Sequence, residues 1–251
     1  MIKLILSGAN GAMGQVISRC VQERSDCTVV AGIDVNTETK SGYHVFSNAA
    51  DCAVEAQVVI DFSHPAALDA ILDFAIASKL PVVVATTGHS EEQIARIRGA
   101  AKEIPVFFTA NMSLGVNLMR ELAKIAARVL GAEFDIEIIE KHHNRKIDAP
   151  SGTALMLADA ISEELAQKPQ YVYDRHSQRK QRSKNEIGLH SLRGGTLAGE
   201  HDIVFAGRDE LLTITHTASS KEIFAVGAIN AALFLHDKAP GLYDMSSLID
   251  V

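Results

Sequence analysis

Through the first hundred residues the apolar positions come in short, nearly unbroken runs: IKLIL, CTVVAGI, QVVIDF, PVVVAT and PVFFTA. Runs of this length without polar alternation suit strands that helices cover on both faces. Stretches of helical spacing lie between them. One covers 65–78, where Pro65 is acceptable in a first turn. Another covers 90–103, where Ser90 and Gln93 stand at capping-box spacing. Strands alternating with helices predict a parallel, doubly wound sheet with right-handed crossovers.

After Ala110 the pattern changes. GVNLMRELAKIAARVL has a helical period and stops at Gly131. EFDIEIIEKHH alternates polar and apolar positions, as a strand with one wet or differently packed face does. SGTALMLADAISEELA reads as a helix, and the polar, basic stretch 167–185 as a loop. EIGLHSLRGG, GEHDIVFAG and ELLTITHTA read as strands, the last two joined by a tight GRDE turn. A final helix, KEIFAVGAINAALFL, is expected to pack back on the first unit, and a Pro-Gly tail follows it. The expected class is α/β. A Rossmann-type parallel-sheet domain spans 1–110, completed by 222–251, and a mixed-sheet α+β domain spans 111–221.

Composition narrows the function classes. With 251 residues the chain fits one large domain or two modest ones. A net charge of −7 argues against nucleic acid as a partner, which calls for a basic face. The longest apolar run falls short of the roughly 18–20 residues that span a bilayer. The opening MIKLILSGANG is too short in apolar residues for a signal-peptide core, so a cytoplasmic protein without a membrane partner is expected. Cys20, Cys27 and Cys52 are odd in number and in no ligand spacing, as free thiols of a reducing compartment are.

Directly after the first run comes GANGAMG, with glycines at Gly8, Gly11 and Gly14. The spacing is G-x-x-G-x-x-G, with Asn10 where a dinucleotide fingerprint usually has its second glycine. Gly8 permits the tight turn, Gly11 lets backbone approach a pyrophosphate, and Gly14 lets helix pack on strand. Exposed N–H groups at the helix start then meet the phosphate charge. Asp34 ends the next strand, 20 residues after Gly14, where a carboxylate accepts hydrogen bonds from ribose hydroxyls. It would oppose a 2′-phosphate by at most about 4 kcal/mol in a partly wet site. Val35 offers that phosphate no cation, so NADH is the favoured cofactor and NADPH a possible one. ATTG (85–88) and TANM (109–112) end later strands on the rim where ligands bind in such sheets.

The stretch EKHHNRKIDAPSGTA, 140–154, crowds two imidazoles, an arginine and a lysine into five positions. His142 and Lys146 would share a face in a helix. The alternation before them and Pro150 after them favour a loop leaving a strand. That loop runs into Ser151, Gly152 and Thr153 at a helix start, whose backbone amides suit an anion. Cationic side chains facing such amides make a receptor for a dicarboxylate. A zinc site would need further ligands at supporting spacing, and the sequence has none, so no metal is expected.

EKHHNRKIDAPSGTA, with GANGAMG, ATTG and TANM in this order, resembles the 4-hydroxy-tetrahydrodipicolinate reductase (dihydrodipicolinate reductase) family. The likeness runs over essentially the whole chain, through LRGGTLAGEH and the closing helix. The resemblance implies a Rossmann-type cofactor domain, a substrate domain that also builds a homotetramer, and a hinge between them. It implies reduction of a cyclic imine dicarboxylate by NAD(P)H in the diaminopimelate route to lysine. His142 matches the family's proton donor and acceptor, and Lys146 a second proton donor. His143 and the Gly152 and Thr153 amides match its substrate-carboxylate contacts. Gly8, Ala9, Asn10, Gly11, Ala12, Met13, Asp34, Ala85, Thr86, Thr87, Thr109, Ala110, Asn111 and Met112 match its cofactor contacts. Some members carry arginines where Ala12 and Val35 stand, and both would help hold a 2′-phosphate.

Two other readings share the glycine loop. A homoserine or semialdehyde dehydrogenase is one. The semialdehyde type needs a nucleophilic cysteine, and all three cysteines lie in the first 52 residues, away from the HH loop. A non-catalytic NAD-sensing regulator is the other. It would keep GANGAMG but has no use for His142, Lys146 and the SGT amides together.

Overall fold

The computed structural model describes residues 1–249, apart from the Ala132 side chain. The chain divides into two compact units: Met1–Leu114 with the chain from Lys221 onward, and Gly115–Ser220.

The first unit is built on β1 (Ile2–Ser7), β2 (Cys27–Ile33), β3 (His44–Phe46), β4 (Val58–Asp61), β5 (Val82–Val84), β6 (Pro105–Phe108) and β12 (Gly241–Tyr243). They form one sheet in the order β12-β6-β5-β4-β1-β2-β3, with every pairing parallel. Both faces are covered. Leu4 and Leu6 of β1 face the helices α1 (Ala12–Gln22) and α6 (Glu222–Leu235). Ile5 faces α2 (Leu68–Ala77) and α3 (Glu91–Ala100). Two buried faces leave no room for polar alternation, which explains the unbroken apolar runs. The strand order reverses between β1 and β4, and sheets of this kind bind ligands beyond the strand ends at that point.

Local signals place the helix ends. The Ser90 and Gln93 capping box is formed in both directions, and the Gln93 amide also donates to the Pro65 carbonyl at 2.7 Å. The 65–78 helix begins differently from expectation: Pro65–Ala67 is a 3₁₀ turn capped by His64 Nδ1, and α2 starts at Leu68. β3 and β12 escape a periodicity reading because three residues carry no period.

In the second unit, β7 (Asp135–His142), β8 (Gln170–Val172), β9 (Glu186–Arg193), β10 (Gly199–Ala206) and β11 (Leu211–Ala218) form a mixed sheet in the order β11-β10-β7-β9-β8. β7, β8 and β9 are parallel, and β10 runs antiparallel to β7 and β11. Ile136 and Ile138 face the helices α4 (Leu114–Leu130) and α5 (Gly152–Glu164), packing with Met119, Ala123, Leu157 and Ile161. The α/β class and both sheet types expected from the sequence hold. β8 corrects the reading of 167–185 as loop throughout: Gln170–Val172 pairs with β9 as an edge strand. Two arginines beyond it are staples. Arg175 reaches Glu137 and Glu186, both at 2.5 Å, and Arg182 reaches Asp135 and Glu137, both at 2.9 Å. Among the described residues no helix is long and apolar enough to cross a membrane.

Candidate active site

In the first unit β1 ends at Ser7 and the chain turns at Gly8, whose φ is +76°. A side chain there would strike the Phe62 carbonyl as well as strain the backbone. Ala9 is fully buried, and Gly14 packs against the Gly8 and Ala9 carbonyls. Gly11 begins α1 without any side-chain cap, so the first-turn amides stay available to an anion. Ala12 is exposed beside it and Met13 half-buried. Asp34 directly follows β2. Its carboxylate accepts from the Asn10 N–H at 2.9 Å and the Asn36 N–H at 3.0 Å. The Asn10 side chain pins the loop beyond Asp34, donating to the carbonyls of Asn36 at 2.6 Å and Glu38 at 2.8 Å.

Gly8, Gly11 and Asp34 line a cleft of about 320 Å³. Ala85, Thr86, Thr87, Thr109, Ala110, Asn111, Met112 and Met13 line another of about 600 Å³. Phe62, Ser63 and His64 border both. Asp61, fully buried at the end of β4, ties this rim together. It accepts from the Ser63 hydroxyl at 2.5 Å and the Thr86 hydroxyl at 2.9 Å.

In the second unit the helix-covered face of the sheet is apolar until its last rows. There Ser191, Glu140, His201 and His216 stand in register across β9, β7, β10 and β11. Glu140 is fully buried. Arg193 donates to both its oxygens, at 2.6 and 2.7 Å. The His142 Nδ1–H donates to Oε2 at 2.6 Å, and the Ser151 N–H to Oε1 at 3.1 Å. Ser151 caps α5 by accepting from the Ala154 N–H at 3.1 Å. Its hydroxyl also shares a hydrogen bond with His201 Nε2 at 2.9 Å, and the His142 and His201 rings meet edge to face. A side chain at Gly199 would begin 3.0 Å from His142 Nε2, so glycine there keeps that nitrogen open.

Beyond His142 the chain forms a turn rather than a helix. The His143 N–H donates to the Leu197 carbonyl at 2.8 Å and the Lys146 N–H to the His143 carbonyl at 3.1 Å. The Lys146 ammonium lies 2.8 Å from Asp148. His143 Nδ1 is buried without a hydrogen-bond partner. Space around the Gly152 α-carbon is open, so the amide end of α5 is accessible.

Burial and charge set the protonation of this row. Burial pushes the Glu140 carboxyl up, but Arg193, Ser191 and His142 together outweigh it and hold the group at about 2. Burial, then the neighbouring His142, holds His201 down at about 4, with Glu140, His216 and Lys146 also facing it. His201 is therefore neutral at pH 7. An unfolded imidazole gains its proton near 6.5, so this contribution to stability is full above about 6.5 and is lost as pH falls toward 4. The loss amounts to on the order of 3 kcal/mol. Urea midpoints at successive pH values are expected to fall through that window, and His201→Gln to flatten the fall.

Among the described residues no group of histidine, cysteine or acidic side chains is placed to hold a metal ion. The three cysteines are free, and burial above all pushes the Cys27 thiol up to about 11, far from a thiolate nucleophile.

Comparison with known proteins places the whole chain in one family. The family model described as dihydrodipicolinate reductase, N-terminus, matches residues 2–112, and that described as dihydrodipicolinate reductase, C-terminus, matches 115–249. The chain belongs to the dihydrodipicolinate reductase family. A 4-hydroxy-tetrahydrodipicolinate reductase from Caldanaerobacter subterraneus is 51% identical over 249 residues, covering 99% of this chain and 98% of that protein. One from Clostridium tetani is 44% identical over 250 residues, covering 100% and 98%. The solved structure of a dipicolinate-bound dihydrodipicolinate reductase from Paenisporosarcina sp. TG-14 matches with a TM-score of 0.81 at 25% identity, covering 97% of each chain.

Within this dihydrodipicolinate reductase family member, the residues singled out in the sequence fall into coherent groups. Residues 85–87 and 109–112 come together at one cleft, and Gly8, Gly11 and Asp34 at its neighbour. His142, His143, Lys146, Gly152 and Thr153 share the β7–α5 junction. The sequence alone did not single out Glu140, Arg193, His201, Asp61 or the Phe62–Ser63–His64 rim. Glu140 had a signal: it stands two residues before His142 on a strand, hence on the same face. Arg193 and His201 lie in LRGGTLAGEH, but nothing in that segment ties them to β7; strand pairing brings them there.

Proposed function

We propose that this chain reduces 4-hydroxy-tetrahydrodipicolinate to tetrahydrodipicolinate, with loss of water, in the diaminopimelate route to lysine. It acts as a cytoplasmic homotetramer and prefers NADH. One observation carries the reading: in a dihydrodipicolinate reductase family member, a buried, carboxylate-held imidazole stands at the strand end that leads into the accessible amide end of α5. The related reductase from Paenisporosarcina sp. TG-14 was solved with dipicolinate bound, and dipicolinate is a ring with two carboxylates. The β7–α5 junction of this chain is suited to a ligand of that kind.

The residues divide the work. His143 and the Gly152 and Thr153 amides hold substrate carboxylate. His142 gives and takes the proton, and Lys146 is a second donor that also balances substrate charge. Substrate loses its 4-hydroxyl as water, and density pushed through the ring by reduction at that carbon is met by a proton from this arm. A bound dihydronicotinamide supplies the hydride. Residues 8–13, 85–87 and 109–112 seat that cofactor, and Asp34 takes the ribose hydroxyls with the lone pairs that Asn10 and Asn36 leave open. Val35 is almost fully exposed, and Lys40 is engaged with Glu38 at 3.3 Å.

The test is loss of nicotinamide absorbance with the product of the coupled synthase, run with both cofactors. Oxidation is expected with each, faster at low concentration for NADH. No oxidation with either overturns the reading. Asp34→Ala is expected to raise the KM for NADH about tenfold, as loss of a hydrogen bond to a charged acceptor does, and to lower the KM for NADPH by removing the carboxylate that opposes its 2′-phosphate.

A further inference from the structure

We infer that Glu140, gripped by Arg193, is a positioning residue that fixes both the His142 tautomer and the seat of the α5 amide end. The inference rests on the proposed reductase reading and deepens it.

The carboxylate is fully buried, and every group around it donates. Oε2 takes the Arg193 Nη1–H and the His142 Nδ1–H, at 2.7 and 2.6 Å. Oε1 takes the Arg193 Nη2–H and the Ser151 N–H, at 2.6 and 3.1 Å. An acceptor on Nδ1 keeps the proton there and leaves Nε2 as the nitrogen that exchanges protons with substrate. Nε2 is the nitrogen that Gly199 leaves uncovered. The same carboxylate holds the backbone of Ser151, the residue that caps α5, so imidazole and anion-binding amides are set by one anchor. Arg193 fixes the anchor with two parallel bonds, the geometry in which arginine is most specific. The other charged or titratable groups facing this row are His201, His216, Lys146 and Asp148.

Glu140→Gln isolates the role. An amide has one acceptor oxygen for four donors. Turned toward His142, its NH₂ forces the ring proton onto Nε2; turned toward Ser151, it pushes away the amide that opens α5. Three readouts separate positioning from bulk stability: NMR of the histidine ring nitrogens, dipicolinate affinity, and the kcat–pH profile. The expected result is a folded variant with turnover down about 30-fold or more. With it should come a changed His142 tautomer or weakened dipicolinate binding, while the KM for NADH stays put. Glu140→Asp keeps the charge but withdraws it by one methylene. It is expected to fall between wild type and Glu140→Gln, and it carries the test if the latter does not fold. Wild-type tautomer and wild-type dipicolinate affinity in either folded variant overturn the inference. Tautomer and affinity are read without turnover, so an inactive wild type would sink the reductase reading while leaving this one decided.

Discussion

His142→Gln is expected to lower kcat by about 10²–10⁴-fold, or roughly 3–5 kcal/mol of barrier, with NADH binding unchanged. Glutamine keeps a neutral polar side chain but has no group that gains and loses a proton near neutral pH. The residue is only 8% exposed, so its removal is not compensated by water entering at the same nitrogen. Its Nδ1 is committed to Glu140, which leaves one nitrogen for chemistry. Lys146→Ala is expected to cost a comparable factor, but with a rise in substrate KM as well, because an ammonium contributes charge toward a carboxylate in ground and transition states alike. Its present partner, Asp148, is half exposed, so the pair is weak and the ammonium is free to turn toward a substrate anion. Steady-state kinetics with a fluorescence titration of NADH separate these effects. Near-wild-type turnover in both variants would refute the assignment.

The fold was legible wherever a physical constraint acts along the chain. Strands buried on both faces cannot alternate, so IKLIL and QVVIDF announced themselves, and β7 alternated because its two faces differ. Ser90 and Gln93 announced a helix start because capping is local. The edge strands His44–Phe46 and Gln170–Val172 were silent, since three residues without an unbroken apolar run exist as strands only through pairing with β2 and β9. The site divides in the same way. His142, Lys146 and the SGT turn are contiguous, so their chemistry could be read from neighbours. Arg193 lies 53 residues from Glu140, and His201 lies 50 from Ser151. Both fall in LRGGTLAGEH, but nothing local places either residue beside β7. The register of β9 and β10 against β7 brings them in, and register is a property of the whole sheet.

That long-range dependence gives the largest expected effect on stability. Arg193→Met is expected to destabilise the second unit by about 3–5 kcal/mol, the usual consequence of stripping one partner from a buried ion pair. Methionine fills much of the arginine stem's volume, so the loss is electrostatic rather than a cavity. Glu140 would keep the Ser191, His142 and Ser151 donors but lose the two from Arg193, the strongest contributor holding its carboxyl at about 2. The sign with pH follows. A carboxyl held below its ordinary value stabilises the fold at pH above that value, and this contribution drains away as pH falls toward about 2. The gap between Arg193→Met and wild type should therefore be widest near neutrality and narrow below about pH 4.5. In that range the unfolded chain takes up a proton at Glu140 that the folded wild type still excludes, which erodes the advantage that Arg193 gives. Adding Glu140→Gln to Arg193→Met removes the orphaned charge and is expected to recover part of the loss. Denaturant titrations at several pH values read all three proteins. A gap independent of pH would mean that Arg193 acts through packing alone.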